Sequence, residues 1–190
     1  MVGRDTANRI LDAAFERVNA VGMSRTTVED VARAAGITRQ TVYRYYASKD
    51  QLLTMLLVRE EERLLSGVRA RLDANQRFED GLADALLYCL TFARQHPLLD
   101  RLLATDSETL LPYLTTRAGP LIVRARSSVI DLLKARSVFS PEVLDACADA
   151  IVRIVLSYAV TPPEDPPEVV ARDLARILAG PAAAEEGPDS

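Results

Sequence analysis

Apolar residues recur every three or four positions along almost the whole chain, the spacing that gathers them on one side of an α-helix. No stretch shows the period-two alternation or the β-branched density of a strand. Ile10, Ala14, Phe15, Val18 and Val21 fall on one face of a helix over residues 5–21, and Gly22 offers it a left-handed stop. Thr27 is placed to cap a short helix over 28–35 that closes at Gly36, and Thr38 to cap a third, Arg39–Tyr45. Ser48 or Lys49 opens a fourth, carried by leucines to about residue 72. Its middle, "VREEERLL", is heavily charged and is expected to face water.

The later helices are patterned for burial. One covers 78–94 and breaks at His96–Pro97, where the chain's single histidine is expected to act as a cap. A shorter one covers 98–104. Residues 105–120 hold Pro112, Gly119 and Pro120 and read as a broken helix or loop. Helices over 121–136 and Pro141–Val160 follow, the latter with Ser140 as N-cap and proline at its first position. After the stiff turn "TPPEDPPE" a last helix runs to residue 179. Nine helices are predicted, an all-α chain without repeats.

Composition narrows the setting. The 190 residues can bury a core without disulfides or metals. Cys89 and Cys147 stand 58 positions apart, neither a metal spacing nor a disulfide framework, and read as small buried hydrophobes in a reducing compartment. No apolar run is long enough for a membrane span, and charges interrupt any signal-peptide core at the N-terminus. A cytoplasmic location with no membrane partner is expected. The net charge is −4, yet residues 1–50 hold eight Lys/Arg against six Asp/Glu, net +2. Such asymmetry suits an anion-binding head on an acidic body.

The positive charge concentrates in "GITRQTVYRYYASK", where three tyrosines and three basic residues stand without an acid. Two short helices joined by Gly36-Ile37-Thr38 have helix-turn-helix geometry. Counting from Val28, Ala32 is fifth, where the helices approach closely, and Gly36 is ninth, where the turn needs positive φ. Val31, Ala35, Ile37, Val42 and Tyr45 take the inward positions. The opposite face of the third helix then carries Arg39, Gln40, Thr41, Tyr43 and Arg44. These suit base edges and phosphates of a DNA major groove. Thr27 and Lys49, each near a helix start, suit phosphates. Solvated arginines and half-buried tyrosines are the ordinary alternative. Tyr45 counts as inward, though its hydroxyl is within reach of a phosphate.

The segments "ILDAAFERVNAVG" and "TTVEDVARAAGITRQTVYRYYASKDQLL" resemble the tetracycline-repressor (TetR) family of bacterial regulators over about residues 8–53. The resemblance implies a three-helix DNA-binding domain followed by a six-helix ligand-binding and dimerisation domain. That division would fall at residues 1–48 and 49–180, with 181–190 as a disordered tail. By motif match the DNA contacts are Thr27, Thr38, Arg39, Gln40, Thr41, Tyr43, Arg44, Tyr45 and Lys49. Many relatives carry histidine or tyrosine where Tyr45 stands.

The last two helices argue for a second copy on their own. In Pro141–Val160 the polar residues Asp145, Asp149, Arg153 and Ser157 form one narrow stripe, so the helix must be covered on two or more sides. A four-helix bundle between two copies would cover it, through Ile151, Ile154, Val155 and Tyr158 with Val170, Leu174, Ile177 and Leu178 of the terminal helix. A central helix in a monomer core satisfies the same pattern. Tyr88, Cys89, Phe92, Tyr113 and Val129 are candidates for an apolar ligand pocket, and equally for ordinary core. Arg124 and Arg126 suit an anionic head group or simply the surface. No nucleophile–base–orienter set, phosphate loop or metal spacing is present, so no enzyme, cofactor or metal is expected. Together with the family resemblance, the residues predict a homodimeric regulator that binds a palindromic operator in double-stranded DNA, a repressor released by a small apolar molecule. A constitutive DNA binder without effector, or an all-helical interaction module, are the alternatives.

Overall fold

A computed structural model of the chain describes residues 2–136 and 139–183. Every regular element among them is an α-helix: α1 (Val2–Val21), α2 (Val28–Ala34), α3 (Arg39–Tyr45), α4 (Lys49–Ala74), α5 (Phe78–Gln95), α6 (Pro97–Thr105), α7 (Ser107–Leu114), α8 (Gly119–Lys134), α9 (Pro141–Val160) and α10 (Pro167–Ala183). The segment expected to be a broken helix or loop contains α7, so ten helices stand among the described residues instead of nine. Pro112 is tolerated near the end of α7, and the turn after it leads directly into α8. The terminal helix passes Gly180 and ends four residues beyond the expected stop. The rest of the expected tail, 184–190, lies outside the described residues.

The helices form two compact units. Residues 1–60 and 96–118 make the first, and residues 61–95 together with those from 119 onward make the second. Helix α4 contributes to both.

In the first unit the period of α1 holds: Ile10, Ala14 and Val18 are fully buried. Gly22, at φ +90°, ends the helix with its N–H on the Val18 carbonyl at 2.8 Å. Asp106, at the N-cap of α7, accepts the Ser24 N–H at 2.8 Å. A Cβ on Gly22 would stand 2.9 Å from that carboxylate, so both the backbone angle and the space demand glycine here. Helix α6 packs on α1, and α7 on α6.

The charged centre of α4 does not simply face water. Glu60 is 5 % exposed and His96 8 %. Their Oε2 and Nε2 lie 3.2 Å apart, and the His96 ring meets Phe15 edge-on. His96 stands between α5 and α6, where a cap was expected, and its ring is also a buried partner of α4. Arg59 extends the cluster, donating to Glu60, to Asp12 at 2.7 Å and to the Leu11 carbonyl. The reason is geometric: residues 60, 61 and 62 point about 100° apart around a helix, so α4 cannot turn three consecutive carboxylates to one wet side.

In the second unit α10 lies along α5. Leu82, Leu86 and Leu90 pack on Ala171 and Ala175. The face of α10 is therefore turned from the one the large side chains suggested. Ala171, Ala175 and Ala179 are buried, Val170, Leu174 and Leu178 flank them, and Ile177 is 70 % exposed. Helix α8 packs on α9, where Leu133 meets Leu144, Ala148 and Ile151. The stripe expected on α9 is present: Asp145, Arg153 and Ser157 are exposed, and Arg153 donates to Asp149 at 2.7 Å.

Candidate nucleic-acid interface and ligand cavity

Helices α2 and α3 are built by their own ends. Thr27 caps α2 by accepting the Asp30 N–H, and Thr38 caps α3 by accepting that of Thr41. Between them the chain closes a Schellman turn: Gly36 N–H reaches the Arg33 carbonyl at 3.1 Å and Ile37 N–H the Ala32 carbonyl at 3.0 Å, with Gly36 at φ +65°. Helix α1 then holds the motif at both sides. Arg9 donates to the Ala35 carbonyl at 2.8 Å, and the Tyr46 hydroxyl to the Ala7 carbonyl at 3.2 Å.

Val31, Ala32, Ala35 and Val42 are buried and Ile37 half-buried, as the register requires. The inward aromatic is Tyr46 and not Tyr45. Tyr46 is 6 % exposed, whereas Tyr45 is half-buried with the Arg44 guanidinium 5.6 Å above its ring. Helix α3 ends at Tyr45, so the extended backbone of Tyr46 turns the next side chain inward, a shift that helical counting does not anticipate.

The opposite face of α3 is open. Thr38, Arg39, Gln40, Tyr43 and Arg44 are exposed and Thr41 half-exposed. Arg39 bonds Glu29 of α2 at 2.6 Å and the Tyr43 hydroxyl at 3.2 Å, with its guanidinium 5.3 Å from the Tyr43 ring centre. A carboxylate therefore does stand at this face, supplied by α2, although α3 itself has none. Lys49 is half-buried and gives one of its N–H donors to the Ser24 carbonyl at 3.0 Å. Thr27 donates its hydroxyl proton to Asp30 at 2.7 Å, and this bond holds the Asp30 carboxyl below its usual range.

The second unit holds a partly open cavity of about 130 Å³ between α4, α5, α8 and α9. Of the five pocket candidates, Cys89 and Val129 line it. Burial pushes the Cys89 thiol up to about 12, so it lines the space as an apolar group. The other three do not line it. Tyr88 lies under the Arg71 guanidinium, 3.7 Å from its ring centre, and packs against Gly67 and Phe92. Tyr113 belongs to the first unit and donates to Asp50 at 2.6 Å. Arg124 and Arg126 pair with Glu62 and Asp145. The wall contributor missed in the sequence is Glu61, the only charged residue lining the space among the described residues. Its oxygens are buried without hydrogen-bond partners, and burial raises the carboxyl to about 7, against the pull of Arg124 and with some help from Glu62. Its one sequence signal was its place among three consecutive acids.

A short capped helix with a basic, phenol-bearing outer face, packed on α2 and through it on α1, defines a helix-turn-helix DNA-binding regulator. Residues 10–56 match the bacterial regulatory proteins of the tetR family, and residues 78–180 match the C-terminal domain of the bacterial tetracyclin repressor. The chain belongs to the TetR family of bacterial transcriptional regulators. The HTH-type transcriptional regulator AlkX of Mycobacterium tuberculosis is 34 % identical over 172 residues, 89 % of this chain and 81 % of that protein. The nucleoid occlusion factor SlmA of Haemophilus ducreyi is 31 % identical over 105 residues, 53 % and 50 % of the two chains. The crystal structure of the TetR family repressor AlkX from Dietzia sp., implicated in biodegradation of n-alkanes, superposes with a TM-score of 0.79 at 26 % identity, covering 94 % of this chain and 95 % of that one. Among the described residues no helix is long and apolar enough to cross a membrane.

Proposed function

We propose that the protein is a ligand-responsive repressor. Two copies bind a palindromic operator, and a small, largely apolar molecule in the second unit releases them. The observation that carries this reading is the pairing of an exposed α3 face with an apolar cavity on the same chain, α4 contributing residues to both units. Arg39 and Gln40 read base edges, and Thr38, Thr41, Tyr43 and Arg44 hold the groove walls. Thr27, Tyr45 and Lys49 position the backbone. Two such helices about 34–36 Å apart fit successive turns of one duplex face. Ile177, exposed on α10, together with half-buried Ile154 and Tyr158 on α9, supplies an apolar face for the second copy. A boundary at residues 48 and 49 marks the end of the helix-turn-helix itself, while α4 contributes its first residues to the unit of the DNA head and its later ones to the effector unit. Control acts through occupancy of DNA, without catalysis.

The Dietzia relative's link to n-alkane degradation favours an aliphatic effector. Coupling between cavity and operator of about 1–3 kcal/mol changes affinity several-fold to about a hundredfold. The test is an operator selected from random duplex and titrated by fluorescence anisotropy, with and without a cavity ligand. The reading requires tight, salt-dependent binding to a two-fold symmetric site that the ligand weakens. An affinity indifferent to every ligand shown to occupy the cavity would leave a constitutive DNA binder.

A further inference from the structure

One exposed residue of the loop between α1 and α2 is bonded on both of its backbone groups. Ser24 gives its N–H to the Asp106 Oδ2 at 2.8 Å, and its carbonyl accepts from the Lys49 Nζ at 3.0 Å. All three residues belong to the first unit. Asp106 serves this loop instead of its own helix: it stands at the N-cap of α7, yet its side chain makes no capping bond there. Burial pushes its carboxyl up, but hydrogen bonds from Ser24, from Thr109 and from the Met23 backbone outweigh that and hold it below its usual range. Thr26 closes the loop from within, giving both its N–H and its hydroxyl to the Gly22 carbonyl. Gly22 in turn leaves the space that the carboxylate needs.

Resting on the reading of Lys49 as a phosphate contact, we propose that Asp106 is a positioning residue for DNA binding: by holding Ser24 it fixes the carbonyl that places the Lys49 ammonium for a phosphate. A lysine has a long, flexible stem, and ordering it opposes binding. An anchor set within the protein removes part of that cost before DNA arrives. The ammonium has three donors, so the bond to Ser24 leaves two for phosphate oxygens. Ser24 lies in an exposed turn, and without a partner for its N–H the anchor would move with the loop. The sign of the effect separates geometry from charge. Asp106 is negative, and removing a negative charge by itself favours DNA. Loss of the carboxylate weakens binding only where its hold on Ser24 outweighs that gain.

The full chain is titrated with an operator selected from random duplex, by fluorescence anisotropy over a series of salt concentrations. The variants form a cycle: Asp106→Ala, Lys49→Ala and the two together. Lys49→Ala should lose about tenfold in affinity at about 0.1 M salt. Asp106→Ala should lose about threefold or more and lower the salt slope in the same direction. The double variant should match Lys49→Ala within about twofold, because both changes act on one contact. Asp106→Asn keeps an oxygen acceptor without the charge and should bind within about twofold of the unaltered chain, or tighter. Asp106→Ser keeps a capping residue for α7 on a shorter arm and takes the place of Asp106→Ala should that variant not fold. Losses that multiply in the double variant, an Asp106→Asn as weak as Asp106→Ala, or an Asp106→Ala as strong as the unaltered chain each overturn the positioning role and leave Lys49 on its phosphate. A Lys49→Ala with unchanged affinity and salt slope removes the phosphate contact itself, and the proposal with it.

Discussion

Arg39 is held twice within the protein, by Glu29 and by Tyr43. Both partners are exposed, and an exposed ion pair is worth only about 0–1 kcal/mol, so DNA can take the guanidinium over at little cost. Arg39→Ala should cost about 1–3 kcal/mol and relax preference at one base step, read by anisotropy against single-base operator variants. Lys49→Ala should weaken all sequences alike and lower the slope of log affinity against log salt by about one. Glu61 makes a different prediction. Its carboxyl is raised from 4.5 to about 7. Between those pH values the folded chain holds a proton that the unfolded chain has released, so its contribution to stability falls as pH rises through this window. Glu61→Gln should raise Tm more at pH 8 than at pH 4.5. An equal shift at both would mean that the carboxyl titrates normally.

At the scale of elements, small residues decide how the helices meet. Gly36 sits at φ +65° in the turn before α3, and alanine there should cost about 1–2 kcal/mol in urea unfolding. Ala175 is fully buried where α10 meets α5. Ala175→Leu should overpack that seam and cost about 1–3 kcal/mol, read by the same method. The helices themselves are legible in the sequence because their caps and periods are local: Thr27, Thr38 and Gly36 each act within a few residues. The sequence hid which face of α10 turns inward. Large side chains point to Val170, Leu174, Ile177 and Leu178 as the covered side; Val170, Leu174 and Leu178 do pack against the core, but alanines take its buried centre and Ile177 is left exposed. It also hid α7, because Pro112 reads as a breaker when the helix it ends is only eight residues long.

At the scale of the whole molecule, the proposed second copy accounts for what one copy leaves open. Ile177 is 70 % exposed, and burying such a side chain contributes roughly 1.5–3 kcal/mol for each copy. Ile177→Asp should shift the chain toward monomer in sedimentation and weaken operator binding in parallel, because one recognition helix makes too few phosphate contacts. A dimer undisturbed by this change would place the interface elsewhere. Ile151 is already covered by Leu133, Leu144 and Ala148 of its own chain, so it supports such a face from behind.

By itself the sequence determined the all-α character, the helix-turn-helix register and the outward basic face of α3, because capping, periodicity and glycine's access to positive φ are properties of neighbouring residues. Only the tertiary structure decided that Tyr46 and not Tyr45 turns inward, that Glu60 meets His96, and that Glu61 lines an apolar cavity while Tyr88, Phe92 and Tyr113 do not. Those facts depend on which distant helices cover a given side of α4 or α5. A chain's local pattern states that a face is to be covered, and packing alone states by what.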